Sequence, residues 1–218
     1  VQRLKEHDIK DGSRWSTMDH FQLNLGLLGP DSLAEETQRE THDNFGETDP
    51  KGWDNQVDQG VQLQAYLRKA WRYHAAIPDV AEFDIIPDAG VALGTTFRHA
   101  EAGLTTRLGW RLPSDFGPGS LLRLNGHIGQ RPPGWSVYVF NRASARLVQY
   151  DATIDEGPTG IESEPLVLAT RPGVGVGYSG EQWNVQVGYS QVFMTEDFKQ
   201  QAGADSFGQW TLSVRGSF

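Results

Sequence analysis

Apolar and polar residues alternate with a period of two along most of this 218-residue chain, and that pattern restricts its fold more than any other feature. Phe21, Leu23, Leu25 and Leu27 alternate with His20, Gln22, Asn24 and Gly26; Val61, Leu63, Ala65 and Leu67 alternate with Gln62, Gln64, Tyr66 and Arg68. Successive side chains of a strand point to opposite faces, so each run has one apolar and one polar face. Complete strands are expected near 16–28, 60–73, 84–97, 102–112, 135–149, 165–179, 182–194 and 207–218, with a fragment at Val1–Leu4. Segment 113–134 is read as a loop, because Gly and Pro cluster at 117–119 and 132–134.

The apolar faces must meet either a second sheet or lipid. The last strand favours lipid. It sets Trp210, Leu212, Val214, Gly216 and Phe218 against Thr211, Ser213, Arg215 and Ser217, and a terminal aromatic on such a strand is similar to the assembly signal of bacterial outer-membrane proteins. Trp71, Tyr73, Trp110, Trp183 and Trp210 fit aromatic girdles at the membrane surfaces. Runs of about 18 apolar residues are absent, which excludes a transmembrane helix but not a barrel, whose strands need only about ten residues.

The expected fold is therefore an all-β, antiparallel transmembrane β-barrel, one domain over residues 1–218, since no Pro/Ser-rich linker divides the chain. Net charge is −9 and the basic residues are scattered, which disfavours a nucleic-acid partner. The lack of Cys excludes disulfides and thiolate metal sites. Bacterial single-chain barrels have an even number of strands, so about nine runs imply N-terminal strands before Val1. Counting back from a periplasmic C-terminus puts the connections 29–59, 98–101, 150–164 and 195–206 outside the cell.

Connection 29–59 is the chemically richest. Ser32 and Glu35 have capping-box spacing for a helix starting near Leu33, and Gly46 after Phe45 supplies a stop. Ala34, Gln38, His42 and Phe45 share one stripe of that helix, while Glu35, Glu36, Arg39, Glu40 and Asp43 take the rest. The stripe offers an imidazole and an amide side by side. Trp53-Asp54-Asn55-Gln56 reads as a turn leading into the next strand. His20, His74, His99 and His127 have no mutual metal-ligand spacing.

Leu-Gly-Leu-Leu-Gly-Pro (25–30), Glu-Thr-Gln-Arg-Glu-Thr-His (36–42), Lys-Gly-Trp-Asp-Asn-Gln (51–56), Ile-Pro-Asp-Ala-Gly-Val-Ala-Leu-Gly (86–94), Arg-Leu-Gly-Trp-Arg-Leu-Pro (107–113) with Asp115-Phe116-Gly117, and Phe207 to Phe218 run in order along the chain. With these pieces the chain resembles the outer-membrane lipid A 3′-O-deacylase family. The resemblance implies a twelve-stranded barrel in the outer membrane of a Gram-negative bacterium. It would hydrolyse the ester-linked 3′-acyloxyacyl group of lipid A with Ca²⁺.

Transferred to matching positions, His42 would be the general base, Gln38 would sit one turn before it, and Glu47 would be the carboxylate for the metal. Imidazole suits a base because it titrates near working pH, and Ca²⁺ requires hard oxygen ligands. Implied partners are lipid A or lipopolysaccharide, outer-membrane lipids and the barrel-assembly machinery. Arg107, Arg142 and Arg146 read as paired charges filling a narrow lumen rather than as a site for lipid A phosphates. The family's Asn-Asp pair and Arg-Pro-Tyr-Ala-Gly segment do not occur in this sequence. Their absence keeps a second expectation open, a non-catalytic barrel serving as a structural or interaction component of an envelope assembly.

Overall fold

In the computed structural model the described residues are 1–8, 14–48, 51, 53, 56–58, 60–117, 133–157 and 160–216. Nine strands form one antiparallel sheet in sequence order: β1 (Gln2–Asp8), β2 (Arg14–Leu28), β3 (Gly60–Ile77), β4 (Ala81–Gly94), β5 (Phe97–Trp110), β6 (Gly134–Asp151), β7 (Leu166–Ser179), β8 (Trp183–Met194) and β9 (Asp205–Gly216). Each strand pairs with its chain neighbour, so alternate connections lie at opposite ends. The end carrying 29–59 also carries the links after β4, β6 and β8.

Burial is inverted relative to a water-soluble sheet. Leu23, Leu25, Leu63, Leu93, Leu108, Val139 and Leu147 are exposed on the outer face, whereas Arg68, Asp84, Asp88, Arg107 and Arg142 are buried on the inner one. Exposed leucine beside buried arginine fits a sheet with lipid outside and a packed polar interior. The inner side chains touch across non-adjacent strands: Arg142 on β6 donates to Asp88 on β4. Such contacts require the sheet to curl around its polar face.

After β5 the chain turns into that interior. Leu112 packs with Tyr138 and Phe140, and Phe116 joins Met18, Ala70 and Ile86 from β2, β3 and β4. Arg107, fully buried, holds the segment: its Nε donates to Asp84 at 2.9 Å, its Nη1 to Asp115 at 2.5 Å, and its Nη2 to the carbonyls of Pro113 and Asp115. Residues 111–117 thus form a plug at the end opposite 29–59. Most of the expected loop 113–134, with Leu121–Ile128, lies outside the described residues, as does Phe218.

Two expectations require correction. The third complete strand ends at Gly94, not at 97, and the link is Thr95-Thr96, so 98–101 belongs to β5. Thr95 makes the tight turn by exchanging bonds with Leu63, its N–H donating to the carbonyl and its hydroxyl accepting from Leu63 N–H, both at 3.0 Å. The capping box is also absent. Pro30 starts a 3₁₀ turn over Pro30–Ser32, which places Ser32 inside the preceding turn, and Leu33 in a left-handed conformation (φ 57°) occupies the cap position without a side-chain bond. Glu35 pairs instead with Arg39 at 2.7 Å.

Candidate functional site

Helix α1 (Ala34–Phe45) carries the expected residues, and its C-terminus sets the one that matters most. Gly46 has φ 69° and closes the helix: its N–H donates to Asp43 O at 3.3 Å, and Glu47 N–H donates to His42 O at 2.9 Å. This is a Schellman turn, which Gly adopts at low cost because it lacks Cβ. The reversed chain brings the carbonyl of Thr48 to 2.8 Å from His42 Nδ1. A carbonyl only accepts, so Nδ1 is the donor, and in the neutral ring the lone pair is on Nε2.

His42 is half-buried, whereas Ala34, Gln38 and Phe45 on the same stripe are exposed. Gln38 stands one turn before His42, as its spacing requires. Glu47 is exposed just beyond the cap. Among the described residues no three His, Asp or Glu side chains gather to hold a cation. No catalytic step is therefore assigned to a metal. Asp54 and Asn55 of the expected turn lie outside the described residues; beside them the indole N–H of Trp53 is buried without a partner among the described residues.

The interior holds charged groups that the sequence reading left unassigned. Asp84 accepts from Arg72 Nε at 3.1 Å, His74 Nδ1 at 2.8 Å and Arg107. Asp88 and Glu101 both bind Arg68 and Arg142. A Cβ at Gly103 would overlap the Arg142 guanidinium, so glycine there makes room for this cluster. Arg146 pairs with Asp197 at 2.9 Å. The three arginines picked out by sequence are thus paired with acids, as expected of a filled lumen. Burial alone would raise the Asp115 carboxyl, but Arg107 and the Gly117 N–H outweigh it and hold the group below the usual carboxylate range.

The lumen groups lock the barrel, whereas the helix loop presents an imidazole with a directed lone pair at one rim. A base so placed can act on a bond lying at the barrel's edge. No individually curated protein matches this sequence. The structure is similar to LpxR from Salmonella typhimurium, with a TM-score of 0.72 and 17% sequence identity, over 98% of this chain and 86% of that one. This likeness establishes the shared fold. The sequence also matches the family described as outer membrane protein LpxR over residues 9–216, in agreement with the lipid A deacylase motifs quoted above, and the chain belongs to that family of outer-membrane β-barrel proteins.

Proposed function

We propose that the protein is a lipid A deacylase of the outer membrane, that it removes the ester-linked 3′-acyloxyacyl group, and that His42 is its general base. The observation that carries this reading is the bond from His42 Nδ1 to Thr48 O, which leaves Nε2 as the proton acceptor. Nε2 takes a proton from water as the water oxygen bonds to the ester carbonyl carbon. The tetrahedral intermediate then collapses, the carbon–oxygen bond to the sugar breaks, and the proton on Nε2 passes to the departing alkoxide. Products are a free fatty acid and a sugar hydroxyl.

The helix loop belongs, in this proposal, on the outer face of the membrane, where lipid A supplies the ester. The outward apolar row of β2 ends at Leu25 and Leu27, immediately before the loop, so the helix stands at the margin of the lipid-facing surface. Gln38 is assigned a positioning role beside the imidazole. Glu47 is the carboxylate this loop offers to a calcium ion. Lipid A incubated with the folded protein and calcium, then analysed by mass spectrometry, should lose the 3′ acyloxyacyl mass; an unchanged acyl pattern rejects the proposal.

A further inference from the structure

Lys69 and Asp19 form an ion pair at 2.9 Å on the outer, lipid-facing wall, and each side chain is about half exposed. Alternation along β3 turns Val61, Leu63 and Leu67 outward toward one rim and Trp71, Tyr73 and Ile77 outward toward the other, so Lys69 interrupts the apolar face midway along the strand. Asp19 is opposite Lys69 on β2, and Arg3 on β1 is opposite Asp19 on its other side. Hydrocarbon offers these groups no donor or acceptor, and ionisable side chains at membrane depth are costly enough to mark a contact with something other than lipid.

The same row continues from Lys69 through Ala89 on β4, Ala102 on β5 and Ala145 on β6. The neighbouring row carries bulkier Phe21, Leu67, Val91 and Leu147. Between them the wall sinks into a trough of about 910 Å³, with Arg3, Asp19 and Lys69 at one end. Short side chains beside a polar pair are what a second membrane-embedded wall needs in order to approach closely.

We propose that this patch is an interface at which a second copy of the chain docks within the membrane. Both copies have the same orientation there, so a twofold axis along the membrane normal sets residues of equal height opposite one another. Asp19 and Lys69 are side by side on adjacent strands, and an axis between them brings Asp19 of each copy to the partner's Lys69. A patch that holds both signs is complementary to itself. A partner surface of one sign would instead oppose either Asp19 or Lys69 with its own charge, which favours a second copy over an unrelated partner. Ala89 and Ala102, next along the row, leave room for the two walls to close on the four charges.

The test is sedimentation of the full chain, folded in detergent micelles, over a range of protein-to-detergent ratios. Wild type should dimerise reversibly. Asp19→Lys and Lys69→Asp should each be monomeric alone, because each places like charges across the axis, and an equal mixture of the two should restore association, read by capture of the untagged variant on the tagged one. Neither misfolding nor loss of a bond within one chain is repaired by mixing. Ala102→Trp fills the trough yet keeps an apolar side chain toward lipid, so it serves where a charge variant fails to fold; it should weaken the dimer roughly tenfold, while Val139→Trp, outward but outside the trough, should leave it unchanged. A monomeric wild type, single charge variants that dimerise like wild type, a mixture that stays monomeric, or equal effects of Ala102→Trp and Val139→Trp would overturn the interface.

Discussion

His42 Nδ1 donates to the backbone carbonyl of Thr48 at 2.8 Å, six residues along the chain, and that bond assigns a ring proton to Nδ1. The relationship depends on a backbone turn rather than on another side chain. It therefore makes a prediction about a residue with no chemistry of its own.

Gly46→Ala should reduce deacylation without weakening the barrel. A Cβ at Gly46 meets nothing within 4 Å, so the cost is conformational: φ 69° is left-handed and disfavours alanine by about 1 kcal/mol. Relaxation of the turn moves Thr48 O away from the imidazole. A roughly tenfold loss of rate, with unchanged heat-modifiability on gels, is expected.

Asp84→Ala should do the reverse. It strands Arg72 and His74 in the lumen and takes one of two acids from Arg107, and removal of one partner from a buried ion-pair network costs about 3–5 kcal/mol. Urea unfolding in micelles should shift to lower denaturant, while the molecules that remain folded keep their activity.

Acid should loosen the plug. The folded value of Asp115 lies below its ordinary 3.8, so its contribution is fully present above that pH and is lost as pH falls through the folded value. Wild-type stability should therefore decline below about pH 4. Asp115→Asn should be less stable at neutral pH and should lack that part of the decline, as measured by unfolding at a series of pH values.

Gly103→Ala tests the second lumen cluster. The added methyl group would push Arg142 off Asp88 and Glu101, and a melting temperature lowered by several degrees is expected. A fully wild-type melting curve would mean that Arg142 has another acceptable position.

The barrel wall was legible because strand alternation is a local property: Leu23, Leu25 and Leu27 announce their face without knowledge of β3. The Thr95-Thr96 turn was not, since it lacks Pro and its flanking outward residues, Ala100 and Ala102, are too small to mark a strand by hydrophobicity. The helix, its start near Leu33 and its stop at Gly46 could be read, whereas its cap was misassigned because Pro30 and Ser32 belong to a turn of their own. The acids Asp84, Asp88, Glu101 and Asp115 could not be given partners from sequence because those partners lie on other strands. Equal spacing of four between Arg68 and Arg72 and between Asp84 and Asp88 was the available signal, but only the β3–β4 register, with His74 opposite Asp84 and Ala70 opposite Asp88, shows why it matters.

The most direct test of the central claim compares lipid A treated with wild-type protein and with His42→Ala by mass spectrometry. Wild type should remove the 3′ acyloxyacyl chain, and His42→Ala should slow that loss by about 10²–10⁴-fold while the barrel still folds. Loss of the chain at the wild-type rate in His42→Ala would contradict the account.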